Sequence, residues 1–238
     1  MKDMAAGEKW QERCSKEINY RRKIKMTEQD YLEELVERYP KLQAVKEDVK
    51  AAYEILKESY EKGGKLLVAG NGGSCADSEH IVGELMKGFV KKRPVSEELA
   101  SKLVQTDEER GAKMAGQLQQ GLAAIALTGH PGLSTAFSND VDPDLTFAQQ
   151  VIGYGKPEDV FLGITTSGNS KNLLYGAVAA KALGMKVIGL TGRDGGEMKK
   201  FSDVCIIVPE QETFKIQELH LPVYHVLCLM LEEHFFQK

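Results

Sequence analysis

Five short apolar runs constrain the fold of this chain most strongly, because each ends in small or hydroxyl-bearing residues and is followed by a stretch with helical spacing. The runs lie at residues 65–70, 123–129, 160–166, 186–192 and 204–209. Strands that are apolar along their whole length and alternate with helices are typical of a parallel sheet covered on both faces. The sequence therefore predicts an α/β fold built on a five-stranded parallel sheet.

Two amphipathic helices are predicted before the sheet, within residues 27–62. Thr27 and Asp30 form the pattern of a capping box at the start of the first helix, and Pro40 ends that helix. Residues 1–26 mix charges of both signs without a clear period, so we expect an irregular or weakly helical arm there.

These patterns divide the chain into an N-terminal arm and helix, residues 1–40, and a main domain, residues 41–238. A charged, amphipathic segment at about residues 94–121 separates the first strand from the second. Because it is too long for an idle connection, we predict an inserted helical segment that acts as a lid or an interface element. We hypothesise that it alters which ligand the protein accepts.

Composition argues against several classes of protein. No run approaches the roughly 20 apolar residues of a membrane helix, and the charged N-terminus lacks the apolar core of a signal peptide. A formal net charge of -4 gives no broad attraction for nucleic acid. The four cysteines include no CxxC pair, which argues against a disulfide framework and a thiolate zinc site. We expect a soluble, cytoplasmic protein with neither a nucleic-acid nor a membrane partner.

The first strand ends in a glycine-rich turn made of Asn71, Gly72, Gly73 and Ser74. The turn lacks the GxGxxG spacing of a dinucleotide site and the lysine of a P-loop. It is followed by a helix, whose free N–H groups favour an anion. Taken alone, the turn is either a ligand cradle or a tight connection between a strand and a helix.

The loop after the third strand carries the hydroxyls of Thr165, Thr166, Ser167 and Ser170 at the start of a second helix. In an α/β sheet, ligands bind beyond the carboxyl ends of the strands. Several hydroxyls with helix N-terminal amides suit a phosphate monoester. The alternative is an ordinary cluster of helix-capping residues.

His80 and Glu84 follow the first loop and are spaced i and i+4, so they lie on one face of the helix and can share a metal or a proton path. The alternative is an exposed pair on the helix surface. Gln217 and His225 lie on the last helix, eight residues or roughly 12 Å apart along its axis. For one site to take both, either Pro222 bends the helix or the two residues come from different subunits.

Four stretches together resemble one known family: GNGGSCADSEHIVGE, TTSGNS, GMKVIGLTGRDGG and KIQELHLPVYH. Their order and spacing resemble the sugar isomerase (SIS) domain of the bacterial phosphoheptose isomerases, over roughly residues 40–235 apart from the insertion. The resemblance implies a three-layer α/β/α sandwich of the flavodoxin or Rossmann type and a homotetramer with active sites at subunit boundaries. It also implies conversion of sedoheptulose 7-phosphate into D-glycero-D-heptose 7-phosphate through an enediol.

The loops and the resemblance together assign the site residues. The resemblance implies acid–base catalysis by Glu84 and His225. The predicted substrate and phosphate site consists of Asn71, Gly72, Gly73, Ser74, Asp140, Thr165, Thr166, Ser167, Ser170 and Gln217. The resemblance also implies zinc or another divalent metal on His80, Glu84, Gln217 and His225.

Two alternatives to this reaction stay open. One is another ketose or aldose phosphate as the substrate, since Phe214 and Lys215 stand where the family often has aspartate or proline and arginine. The other is a non-catalytic SIS module that binds a sugar phosphate or a protein partner, as in the relatives that associate with the replication initiator. The presence of His80, Glu84, Gln217 and His225 together favours the enzyme.

Overall fold

The computed structural model describes residues 26–237, so almost all of the predicted N-terminal arm lies outside the described residues. Within this range, no helix combines the length and the apolar character that a membrane span requires. The described residues begin with helical elements and continue into a single five-stranded sheet.

Both helices predicted before the sheet are confirmed. Helix α1, Glu28–Arg38, begins at the predicted capping box, where the Thr27 hydroxyl accepts the Asp30 backbone N–H at 3.2 Å and the Asp30 carboxylate accepts the Thr27 N–H at 2.8 Å. A 3-10 helix, Pro40–Val45, leads into α2, Lys46–Glu61. Buried leucines of α1 pack in the same core as the last helix of the chain. The domain boundary at residue 40 stays a prediction.

The predicted parallel sheet is confirmed. Its strands are β1 (Leu66–Gly70), β2 (Ala124–Ala126), β3 (Val160–Thr165), β4 (Lys186–Thr191) and β5 (Val204–Ile207). They lie in the order β2-β1-β3-β4-β5, and every neighbouring pair is parallel. From β1 the chain adds β2 on one side of the sheet and then β3, β4 and β5 on the other, so a topological switch point lies between β1 and β3. Open α/β sheets bind ligands at such points.

Helices cover both faces of the sheet, which gives the expected three-layer α/β/α sandwich. Alternate residues of β1 enter different cores: Leu66 and Val68 pack with α2 and the helices that carry Ile81 and Leu227, whereas Leu67 and Ala69 pack on the opposite face. The remaining helices are α3 (Gly73–Met86), α4 (Glu97–Thr106), α5 (Glu108–Gln117), α6 (Pro131–Asp140), α7 (Thr146–Tyr154), α8 (Lys171–Ala182), α9 (Met198–Phe201) and α10 (Thr213–Phe235).

The predicted insertion forms α4 and α5, which pack mainly against each other. Gly111 allows this close approach, because a Cβ at that position would lie 2.1 Å from the Leu103 carbonyl oxygen. An antiparallel bridge between Pro94 and Gln119 closes the base of the insertion. The α4 helix has no buried residue, so the insertion contributes little to the main core.

Helix α10 continues through Pro222 and is not interrupted there. Gln217 and His225 therefore lie on one unbroken helix, at the separation expected from eight residues of helical rise. This geometry decides which of the predicted site residues meet within one chain.

Candidate active site

The sheet places the two predicted loops side by side, because β1 and β3 are neighbours in register from Leu66 with Val160 to Gly70 with Ile164. The side-chain amides of Asn71 and Asn172 connect the loops through reciprocal hydrogen bonds of 3.0 and 2.9 Å. Sequence reasoning did not assign Asn172, although it lies two residues after Ser170.

Backbone geometry determines the loop after β1. A Cβ on Gly70 would lie 2.3 Å from the Ser74 carbonyl oxygen, and Gly72 has a φ of 57°, so both positions favour glycine. Ser74 is buried. No side chain caps α3 at Gly72, and the N–H groups of Ser74 and Cys75 donate to the carbonyl oxygens of Asn71 and Gly72 at 3.0 and 3.1 Å.

The loop after β3 has a similar construction. Gly168 has a φ of 69°, and a Cβ there would lie 2.0 Å from the Gly195 carbonyl oxygen. Thr165 and Ser170 share a hydrogen bond of 3.1 Å between their hydroxyls. Thr166 and Ser167 are half-buried beside them.

Ser170 occupies the N-cap position of α8, yet its side chain makes no capping hydrogen bond. The alternative of an ordinary capping cluster therefore does not account for this hydroxyl. Two helix N-termini, α3 and α8, begin at adjacent loops without a side-chain cap. Their partial positive charges and the neighbouring hydroxyls form an arrangement that can bind a phosphate group.

The predicted acid–base residues Glu84 and His225 meet the predicted metal ligand His80 in one cluster between α3 and α10. His80 Nε2 lies 3.3 Å from Glu84 Oε1, and the centroids of the two imidazole rings are 5.0 Å apart. Lys87 Nζ lies 3.2 Å from the second oxygen of Glu84. A carboxylate and two imidazoles are groups that can transfer protons near neutral pH.

His225 is half-buried, with the Phe89 ring centroid 5.3 Å away. Burial, together with the nearby His80, lowers the pKa of His225 below its ordinary value, although Glu84 acts in the opposite direction. The Nε2 atom of His225 is buried and has no hydrogen-bond partner among the described residues. At neutral pH this side chain is therefore a neutral imidazole with one uncommitted nitrogen.

A buried ion pair fixes the end of α3 that carries Glu84. Arg93 and Glu232 are fully buried and 2.7 Å apart, and Arg93 also donates to the Leu85 carbonyl oxygen at 2.8 Å. Glu232 accepts the backbone N–H of Phe89 at 2.8 Å. The pair thus sets the turn that places Phe89 against His225, and sequence reasoning did not find it.

The comparisons with known proteins agree with this architecture. The sequence matches two models of the SIS domain, over residues 30–128 and 120–230. A phosphoheptose isomerase of Helicobacter pylori strain P12 is 39% identical over 197 residues, which cover 83% of this chain and 89% of the relative. The chain belongs to the phosphoheptose isomerase family of SIS-domain proteins. The resemblance identified from the four sequence motifs is confirmed.

Solved structures of phosphoheptose isomerases share the fold. The enzyme from Francisella tularensis matches with a TM-score of 0.67 at 31% identity, over 85% of this chain and 95% of that chain. The enzyme from Neisseria gonorrhoeae matches with a TM-score of 0.66 at 32% identity, over 84% and 93% of the two chains.

Two predicted residues of this SIS domain lie apart from the cluster. Gln217 contacts the start of α3, since a Cβ on Gly73 would lie 2.5 Å from Gln217 Nε2. Asp140 is exposed at the end of α6, where its carboxylate accepts a hydrogen bond from Asn139 at 2.9 Å. Within residues 26–237, Asp140 makes no hydrogen bond or ion pair with either loop. The roles predicted for both residues stay predictions.

The side chains predicted to bind a metal do not form a complete site in this SIS domain. No group of three or more His, Cys, Asp or Glu side chains in the described part of the chain is arranged to hold an ion as it stands. The chemistry of the donors nevertheless fits a divalent cation, because His225 Nε2 has no hydrogen-bond partner within residues 26–237 and His80 Nε2 faces a carboxylate. Side-chain rearrangement or a ligand from another copy would be needed to complete the site.

Proposed function

We propose that this chain is an aldose–ketose isomerase that converts sedoheptulose 7-phosphate into D-glycero-D-heptose 7-phosphate through an enediol. One observation carries the proposal: the loop at the start of α3 is joined to the hydroxyl-rich loop at the start of α8, and the imidazole–carboxylate cluster lies further along α3. Ser74 and His80 are separated by six residues, a rise of about 9 Å. This separation suits a ligand with a phosphate at one end and a carbonyl at the other.

At the phosphate end, the hydroxyls of Ser74, Thr165, Ser167 and Ser170 donate hydrogen bonds to the phosphate oxygens. The N-termini of α3 and α8, which no N-cap side chain covers, add a favourable dipole. Hydrogen bonds to a charged group contribute about 1.5–3 kcal/mol each, so a few of them can anchor the substrate. The bound phosphate then fixes how far the carbonyl end extends along α3.

At the carbonyl end, the Glu84 carboxylate removes a proton from C1 of the ketose while the neutral His225 imidazole donates a proton to O2. The product of this step is the enediol. The protonated Glu84 carboxyl then gives a proton to C2 and the deprotonated His225 imidazole takes the proton from O1, which gives the aldose and restores both residues. A neutral imidazole is the suitable donor, because burial keeps the pKa of His225 below its ordinary value.

We also propose that zinc, or another divalent ion, is held by His80, Glu84 and His225. When bound, such an ion would polarise the carbonyl and stabilise the developing negative charge. Gln217 would complete the set from a neighbouring copy, since within one chain its carboxamide contacts Gly73. This assignment supports a homo-oligomer, expected to be a tetramer with sites at subunit boundaries. We expect the protein to act in the cytoplasm.

The decisive experiment is turnover of a panel of C5 to C7 ketose phosphates by zinc-loaded protein in deuterated water. We expect aldose formation with sedoheptulose 7-phosphate and entry of one deuterium at C2, both measured by NMR. If no sugar phosphate turns over but one of them raises the melting temperature, the protein is a sugar-phosphate-binding module and the proposal is wrong.

A further inference from the structure

A pair of asparagine side chains, here called the amide bridge, joins the two loops of the candidate phosphate site. Asn71 follows β1, and Asn172 lies in the first turn of α8. The amides exchange hydrogen bonds of 3.0 and 2.9 Å, each Nδ2 donating to the other Oδ1. Within residues 26–237, no other hydrogen bond connects residues 71–74 with residues 165–172. Beyond the paired ends of β1 and β3, the spacing of the loops therefore depends on the amide bridge.

The backbone determines the orientation of both amides. The Leu173 N–H donates to Asn172 Oδ1 at 3.0 Å, so this atom must be the oxygen of its amide. The nitrogen of the same amide then faces the oxygen of Asn71, and the nitrogen of Asn71 faces Asn172 Oδ1. If either amide turned over alone, two oxygens and two N–H groups would face each other. The amide bridge thus has one arrangement and holds the loops at one spacing.

This spacing matters because the hydroxyls predicted to bind phosphate are divided between the two loops. Ser74 lies at the start of α3, whereas Thr165, Ser167 and Ser170 lie at the end of β3 and after it. Hydrogen bonds weaken steeply when their distance or angle departs from the optimum. One phosphate group can therefore bind hydroxyls of both loops only if the loops stay a fixed distance apart. Glycine conformation shapes each loop but does not fix one loop relative to the other.

We propose that Asn172 is a positioning residue which, through Asn71, sets the gap between the two loops so that their hydroxyls bind one phosphate group. The inference rests on the proposed function, in which these hydroxyls hold the phosphate of the sugar. A preformed gap spares the substrate the entropy cost of ordering the loops when it binds. Because the amide bridge acts at the phosphate end, its loss should weaken binding far more than it slows the chemical step.

Alanine can replace either asparagine without disturbing the fold. Asn71 does not have a positive φ, and Asn172 lies within a helix, where alanine is favourable. In Asn172→Ala, the Leu173 N–H keeps a partner, the Ser170 carbonyl oxygen at 3.1 Å. Asn71 is exposed and Asn172 is half-buried, so neither substitution opens a cavity in the core. We expect urea-unfolding curves close to that of the unmodified protein.

A double-mutant cycle tests the amide bridge by comparing Asn71→Ala, Asn172→Ala and the double variant. Inorganic phosphate is titrated by calorimetry into the full-length protein without added metal, and kcat and KM are measured with sedoheptulose 7-phosphate. Either single substitution breaks the same bridge. The Kd for phosphate and the KM should therefore rise about tenfold in each single variant, the usual scale for two neutral hydrogen bonds, and no further in the double variant. The kcat should change less than about twofold.

Gln29→Ala is the matched control. It removes a surface amide of α1, whose Nε2 donates to Glu33 on the same helix at 2.7 Å. Because this amide contacts neither loop, the Kd for phosphate, the KM and the kcat should all stay unchanged.

Effects that multiply to about a hundredfold in the double variant would show that the two asparagines act independently, and would overturn the bridge. Unchanged Kd and KM in the single variants would overturn it too, as would an unmodified protein that binds neither phosphate nor a sugar phosphate. A tenfold loss of phosphate affinity in each single variant, with no further loss in the double variant, would support the bridge. If that protein turned over no sugar phosphate, the result would count against the proposed isomerase alone.

Discussion

The two ends of the candidate active site are held by different parts of the molecule. The loops after β1 and β3 take their shape from the backbone, since Gly70 and Gly168 leave no room for a Cβ. The cluster of imidazoles and carboxylate takes its shape from side chains on α3 and α10. Its supports are the Tyr224 hydroxyl and the buried pair of Arg93 and Glu232.

This difference implies different responses to substitution. A loop that depends on backbone conformation should lose folding free energy when a glycine is replaced, because strain cannot relax without moving neighbouring strands. A cluster that depends on side-chain chemistry should lose activity and keep its fold when one proton-transferring group is replaced by a neutral group of the same shape. The predictions below test this separation.

Glu84→Gln should have the largest effect on catalysis. The glutamine keeps the shape of the side chain but cannot accept the substrate proton, so we expect kcat to fall by about 10²–10⁴-fold. Deuterium incorporation at C2 should fall in parallel. Binding of sedoheptulose 7-phosphate, measured by calorimetry, should change less than about threefold, because Glu84 lies away from the loops.

Glu79→Gln is the matched control for that substitution. Glu79 is exposed on the same helix and accepts a hydrogen bond from Thr128 at 3.4 Å, outside the cluster. Its replacement should leave turnover unchanged. Loss of sugar-phosphate binding in Glu84→Gln would show that the two ends of the site are not separate.

Gly168→Ala should instead reduce stability. The alanine would require a φ of 69° and would place Cβ 2.0 Å from the Gly195 carbonyl oxygen, so both strain and overlap oppose it. We expect a loss of about 3 kcal/mol in the free energy of unfolding, measured by urea denaturation. The affinity for sugar phosphate should fall as well, since the same turn carries the hydroxyls.

Gly116→Ala provides the comparison. Gly116 lies in α5, and a methyl group at this position would have no atom within 4 Å beyond its chain neighbours and the backbone of its own helix, so alanine should stabilise the protein by up to about 1 kcal/mol. If both substitutions changed stability equally, the argument that backbone strain shapes the loop would be wrong.

The difference between loops shaped by the backbone and a cluster shaped by side chains also explains which features the sequence could predict. Strand ends, glycine turns and helix spacing are local patterns, so the sheet, both loops and the pairing of His80 with Glu84 follow from them. Asn172, Tyr224 and the Arg93–Glu232 pair depend on contacts between distant segments, and no local period marks them. The sequence alone also did not decide whether the last helix continues through Pro222, and α10 is continuous there over 23 residues.

The last prediction concerns the anchor of α10 on the sheet. His220 is fully buried, and its Nε2 lies 3.1 Å from the Thr191 carbonyl oxygen at the end of β4. Burial lowers the pKa of His220 to about 4, although the hydrogen bond to Thr191 acts in the opposite direction. A neutral His220 thus donates this hydrogen bond across the physiological pH range.

Because the unfolded chain protonates this histidine near its ordinary pKa of about 6.5, acidification favours the unfolded state. The contribution is complete above about pH 6.5 and is lost as the pH falls toward about 4. The loss in the free energy of unfolding, relative to neutral pH, should amount to about 2 kcal/mol by pH 5. In His220→Gln, whose amide can still donate to Thr191, this part of the pH dependence should vanish from urea-unfolding curves. An equally steep loss of stability in His220→Gln would assign the acid sensitivity to other groups and leave α10 without a titrating anchor.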